Sequence, residues 1–190
     1  MSNIKPDLET SQFNMQLVVS FINFADTKAA TLLAMCLAMF GVSLADLPAA
    51  TRVLEYCSSQ DGVWPWIHWW LIVVAHAGFY LVLAYAMWKF INVIKPNLYK
   101  QSEKNSWFYF QSMSKLTSDD FHDYTGQLTA ESTSKQLNDQ IYNNSVVANK
   151  KFELIRSGVH WLIVAILLVA LAVAPVLVAD TMIAAVNGTN

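Results

Sequence analysis

The sequence predicts an all-α membrane protein with three transmembrane helices, a small and mainly helical cytosolic insert, and one long helix continuing from the cytosol into the last span. Three observations carry that prediction. Of the 190 residues, 55% are hydrophobic and only 14% are charged, against about 25% charge in an ordinary soluble domain. The apolar excess is gathered into three blocks, the pattern of a membrane protein with a modest soluble part. Finally, the run from Trp161 to Val178 holds no charge and has about the length a helix needs to cross the hydrocarbon layer. The polar run before it, from Leu137, contains no proline to break the join.

Residues 1–28 are expected to form a cytosolic amphipathic lead-in helix. Pro6 suits a first helical turn, and Asp7 and Glu9 favour its positive end. Phe13, Leu17, Phe21 and Phe24 then recur at intervals of four and three, with Val18 and Ile22 beside them. Gln12, Gln16, Ser20 and Asn23 fall on other faces, which completes a helical pattern. Few basic residues mark the polar side for lipid headgroups, so the apolar stripe is expected to pack against protein. The next apolar block is expected to be retained rather than cleaved. A cleavable leader opens with a short basic stretch, and Asp7, Glu9 and Asp26 precede this block.

The first span is placed at residues 29–47. Ala30, Ala34, Ala38, Gly41 and Ala45 form a strip of small residues, which lets another helix approach closely inside lipid. Pro48 ends or bends this helix, and residues 48–63 form a periplasmic loop. The second span and its extension cover residues 64–95, with Trp64, Trp66, Trp69 and Trp70 crowding its start as an interfacial belt. Pro96 stops it. His76 lies well inside this span, where inter-helix hydrogen bonding competes with proton or ion handling. The third span covers residues 158–179, with a kink expected at Pro175, and residues 180–190 form a periplasmic tail.

Lysine and arginine set the orientation. The first loop holds only Arg52, and the C-terminal tail holds none. The long segment leading from the end of the second span to the third holds Lys89, Lys95, Lys100, Lys104, Lys115, Lys135, Lys150, Lys151 and Arg156, and Lys5 and Lys28 lie on the N-terminal side. The positive-inside rule then places the N-terminus and the long insert of this multi-pass protein in the cytoplasm.

The cytosolic sensing region is residues 96–157, a marginal length for a core of its own. Within it, Ser106 to Ser112 has the aromatic content of a short strand or plug. Asp119 to Leu128 is expected to be a short helix capped by Thr117 or Ser118, and Thr129 starts the long helix. On that helix Leu137, Ile141, Ala148, Phe152 and Ile155 form an apolar stripe, with Ser145 in the middle. Gln140, Asn144 and Lys151 follow beside it at intervals of four and seven. Two amides and an ammonium on one ridge suit a base edge and a phosphate. Spacing alone favours the plainer reading, a solvated or oligomer-facing ridge.

Composition excludes several classes. A net charge of −2 argues against nucleic-acid binding. No phosphate-binding glycine loop, paired-cysteine motif, zinc-protease helix or nucleophile elbow is present, so neither catalytic residues nor a metal site is expected. His122 stands beside Asp119, Asp120 and Asp123, but carboxylates at a helix start need no metal to explain them. Cys36 and Cys57 are isolated thiols rather than a framework.

Two motifs carry a family resemblance. Phe24-Ala-Asp-Thr-Lys-Ala-Ala30, followed by a span, resembles the opening of the bacterial Pycsar-type transmembrane effectors. Gln140-Ile-Tyr-Asn-Asn-Ser145, with Asn149, Lys151 and Phe152, resembles their later block, and Trp107-Phe-Tyr-Phe110 their middle section. The order of the motifs extends the likeness over nearly the whole chain. It implies an antiphage effector that answers a cyclic pyrimidine mononucleotide, cCMP or cUMP, made by a partner cyclase, and that impairs the inner membrane. No other cofactor is implied. The matching positions, and hence the candidate ligand-binding residues, are Asp26, Lys28, Gln140, Asn144, Ser145 and Lys151. The same positions suit helix packing, with Asp26 in a salt bridge and Lys28 snorkelling to the interface.

The expected protein is a homo-oligomer in contact with membrane lipid, whose nucleotide response forms a pore or disrupts the bilayer. The alternative is a membrane anchor or sensor scaffold that recruits a soluble partner through the Leu137 to Ile155 stripe. A transporter built on His76 is a third reading.

Overall fold

The computed structural model describes residues 8–45, 47–59, 63–95 and 116–188. The aromatic stretch Ser106 to Ser112 lies outside them. Among the described residues the regular elements are five helices: α1 (Leu8–Ala45), α2 (Leu47–Ser59), α3 (Trp64–Ile94), α4 (Ser118–Gln127) and α5 (Ala130–Gly188). Three are long and apolar enough to cross a membrane, over Leu8–Ala45, Pro65–Ile94 and Ala130–Val178. The protein is therefore an all-α, multi-pass membrane protein, with the small helix α4 between its second and third spans.

Local chemistry explains the helix ends. Thr117 caps α4: its Oγ1 accepts from the Asp120 backbone N–H at 3.2 Å, and the Asp120 carboxylate accepts in return from the Thr117 backbone. This reciprocal box satisfies two otherwise orphaned donors. Thr129 does the same for α5, with the Ser132 N–H donating to its Oγ1 at 3.2 Å and the Thr129 N–H donating to Ser132 Oγ at 3.0 Å.

The segment expected to be a loop after the first span folds largely as α2. Pro48 is its second residue, and a proline in the first turn loses no hydrogen bond. Burial then holds the helix: Val53 and Cys57, one turn apart, pack with Ile72 of α3 and Val176 of α5, and Trp69 covers the cluster. That burial pushes the Cys57 thiol above its ordinary pKa range by desolvation. Helix α5 also runs through Pro175 and Asp180 to Gly188.

The chain divides into two compact units, one of Met1–Thr27 with Lys95–Glu153 and the other of Lys28–Ile94 with Leu154–Asn190. The second unit holds an apolar seam with a seven-residue rhythm. On α1 the buried positions are Ala29, Cys36 and Ser43; on α3 they are Ile72, Phe79, Ala86 and Val93, with Leu83 and Phe90. On α5 they are Ile155, Leu162, Ala165, Ala172 and Val176. Such repeats are the signature of helices meshing side by side. A methyl group at Gly158 would lie 2.5 Å from Cε1 of Phe90, so only glycine admits this ring. Ser43 Oγ and Tyr80 Oη share a hydrogen bond of 3.0 Å across the seam.

The strip Ala30, Ala34, Ala38, Gly41 and Ala45 is exposed in this unit; the seam uses Ala29, Cys36 and Ser43 instead. His76 is half-buried, and its Nδ1 donates to the Ile72 carbonyl of its own helix at 3.0 Å. That bond lies within the helix rather than between helices. Lys89 lies over the Tyr85 and Trp88 rings, 5.1 and 5.2 Å from their centroids, an arrangement suited to a cation held near lipid.

Candidate functional site

Five of the six candidate residues lie within the first unit, where residues 8–27 of α1 run beside residues 130–153 of α5; Lys28 opens the second unit. Ser11 Oγ donates to Asn138 Oδ1 at 3.1 Å. Further along, Asn144 Nδ2 reaches Met15 Sδ at 3.5 Å, and Lys151 Nζ pairs with Asp26 Oδ1. Phe24 and Phe152 meet beside the ion pair with ring centroids 6.5 Å apart. Partner numbers rise together on both helices, so the two pack parallel.

Helical spacing explains the alignment. Residues 140, 144 and 151 fall on one face of α5, because four and seven residues each bring a side chain back to nearly the same direction. On α1, Ser11, Met15 and Asp26 share a face in the same way. The inward side of α1 is small and polar, with Ser11 and Ala25 fully buried. The bulky stripe expected to pack against protein is exposed, with Phe13 at 64% and Leu17, Phe21 and Phe24 also outward. A narrow face lets α5 approach closely enough for these polar groups to meet.

The polar ridge of α5 is correspondingly interior rather than solvated. Gln140 is 6% exposed, and its Nε2 donates to Asn144 Oδ1 at 3.3 Å. Gln140 Oε1 is buried and finds no hydrogen-bond partner among the described residues. An unsatisfied buried acceptor of this kind costs about 1–3 kcal/mol. The Lys151 side chain is 5% exposed while that of Asp26 is 36% exposed. The ammonium is thus the desolvated member of the pair and depends on its counter-ion, whereas the carboxylate keeps access to water.

The six candidates therefore divide. Asp26, Gln140, Asn144 and Lys151 lie along one seam. Ser145 is exposed and donates back to the Ile141 carbonyl at 2.7 Å. Lys28 is exposed, and two helical residues from Asp26 place it on a nearly opposite face. Leu137 and Ala148 of the apolar stripe are buried, and Ile141 and Phe152 are half-buried. Ser11, Met15 and Asn138 join the seam without having been singled out from sequence. Their signal was available in the spacing of Ser11, Met15 and Asp26, which repeats the face spacing of the α5 ridge. Among the described residues no group of three or more His, Cys, Asp or Glu is assembled that could hold a metal. Asp120 is occupied by the α4 cap.

These features define a polytopic helical membrane protein that carries a buried cation and an unsatisfied amide in a helix pair. The family described as PycTM, the Pycsar effector protein domain, matches residues 10–178. The chain belongs to that family, whose members are non-catalytic membrane effectors of antiphage defence. The matched region includes both sequence motifs and all six candidate positions. Comparison with curated proteins and with solved structures finds no match.

Proposed function

We propose that this protein is the membrane-impairing arm of an antiphage system and answers a cyclic pyrimidine mononucleotide, cCMP or cUMP, made by a partner cyclase. It resides in the inner membrane with its N-terminus in the cytoplasm, as its lysines and arginines favour. The nucleotide binds at the seam of α1 and α5, where Lys151 faces its phosphate and Gln140 and Asn144 face its base. Lys28 and Ser145, both exposed, take part at the entrance or from a neighbouring subunit. The observation that carries this reading is the grouping on one helix face of a buried ammonium, a buried amide with one oxygen still unpaired, and the half-buried amide of Asn144.

Binding must favour one arrangement of the helices over another, or it shifts nothing. The protein acts as a homo-oligomer that opens a pore or disrupts lipid. Support for self-association comes from the exposed small strip Ala30, Ala34, Ala38, Gly41 and Ala45, since small residues allow close helix contact in lipid.

The test is the membrane potential of bacteria expressing the protein, with and without a cyclase that supplies cCMP or cUMP. Depolarisation is expected only when one of the nucleotides is made. If an inserted protein leaves the potential unchanged with both, the scaffold reading takes its place. Its docking surface would then be the exposed Phe13, Leu17, Phe21 and Phe24 stripe, since Leu137, Ala148 and Ile155 are buried within the chain.

A further inference from the structure

We infer that Asp26 is an internal substitute for the ligand's phosphate, and that an anionic nucleotide activates the protein by taking this carboxylate's place on Lys151. The inference rests on the nucleotide-response reading above and concerns the regulation of the same site.

The starting point is the unequal burial of the ion pair. A lysine ammonium whose side chain is 5% exposed is tenable only with an anion against it. Asp26 supplies that anion. A second anion brought to the same ammonium would be repelled by the carboxylate, so exchanging Asp26 for a phosphate costs less than holding both. They compete, and Asp26 is not a ligand contact at all. A carboxylate and a cyclic phosphodiester each carry one negative charge, so the exchange leaves the charge around Lys151 unchanged. The side chain able to leave is the one with access to water, and Asp26 at 36% exposure has it.

Gln140 adds the second requirement. Its Nε2 is engaged by Asn144, and its buried Oε1 awaits a donor. Gln140 and Lys151 share a face, with a rise of roughly 16 Å between their backbones. Both side chains lean toward the helix N-terminus, so only the greater length of the lysine shortens that span. The geometry suits a ligand with a monoanionic phosphate at one end and an N–H donor on a base edge at the other. Inorganic phosphate meets only the Lys151 requirement and is expected to be a poor activator. Because both groups are interior, entry must part α1 from α5 within this unit. Loss of the Asp26 contact is the first step of that parting.

The experiment uses the full-length protein in vesicles of phosphatidylethanolamine and phosphatidylglycerol loaded with a self-quenching dye, titrated with cCMP, cUMP and inorganic phosphate. Release from the unmodified protein on addition of either nucleotide tests the function itself. For the exchange, Asp26→Asn is expected to lower the half-maximal nucleotide concentration about tenfold or more, equivalent to about 1.4 kcal/mol, or to release dye with no nucleotide present. Lys151→Gln is expected to give no response at any concentration. An Asp26→Asn curve that is unchanged or shifted to higher concentration overturns the inference.

If the unmodified protein answers neither nucleotide, the function reading fails on its own. The exchange is then judged by nucleotide-free leak: a leak higher for Asp26→Asn than for the unmodified protein supports it, and an equal leak overturns it. Should Asp26→Asn lose its helical circular dichroism, the charge swap Asp26→Lys with Lys151→Asp decides. A silent, unresponsive swap supports the exchange, and nucleotide-dependent release from it overturns the exchange.

Discussion

The two helical units are built on seams of opposite chemistry. In one, Phe79, Leu83, Ala86, Phe90 and Val93 of α3 are buried with Leu162, Ala165 and Ala172 of α5, and Ser43 is the polar member. In the other, the buried positions Ser11, Gln140 and Lys151 share the interior with Ala25, Leu137 and Ala148. An apolar seam gains from packing and has no better partner to exchange for. A polar seam is held by bonds that water or a ligand can replace, so its net stabilisation is small relative to the gross strength of its contacts. On the proposed function, the first seam is the permanent one and the second the responsive one.

The largest expected effect tests permanence. Phe79→Ala empties a fully buried position and is expected to cost about 3–5 kcal/mol. The measure is unfolding of the purified protein in detergent, with nucleotide response lost only through loss of folded protein.

The next effect sharpens the contrast, because the two members of the ion pair are not equivalent. Asp26→Leu strands a buried ammonium and is expected to destabilise by roughly 2–4 kcal/mol, below the full cost of breaking a buried pair because its partner was half-exposed. Lys151→Met leaves a half-exposed carboxylate and a volume-matched apolar side chain, and is expected to change stability by less than about 1 kcal/mol. Equal losses in the two variants, measured in the same unfolding series, would dissolve the distinction.

The smallest effect concerns α2. Burial raises the Cys57 pKa, so the folded state favours the neutral thiol, and the unfolded chain loses its proton at a lower pH than the folded one. Stability from this group is therefore complete below the ordinary thiol pKa and declines as pH rises through it. Alkylation of Cys57 by a maleimide is expected to be slow at neutral pH and to accelerate on alkaline titration. A rate matching a free thiol at neutral pH would show that α2 is not seated on Ile72 and Val176.

Much of the membrane architecture was legible because length and apolarity are counted along the chain. The α4 cap was legible too, since Thr117 and Asp120 act locally. What escaped were choices between faces. The strip of Ala30 and its repeats was legible as a contact face, but not that the contact within the chain runs through Ala29, Cys36 and Ser43, because every face of a span is apolar enough for lipid or protein. Helix α2 escaped because Pro48 marks a stop and a start equally well. The buried ridge of Gln140 and Lys151 escaped for a different reason. The rule that polar residues face water fails where polar groups find partners, and Ser11, Met15 and Asp26 lie more than a hundred residues away in sequence.

The half-exposed carboxylate has one more consequence. Mobile ions reach Asp26 but not Lys151, and at physiological ionic strength they screen exposed charges beyond about 8 Å. The contact between Asp26 and Lys151 lies well inside that distance and one partner is buried, so salt leaves the pair largely intact. A pair of this kind is expected to hold at salt concentrations that dissolve wholly exposed ion pairs.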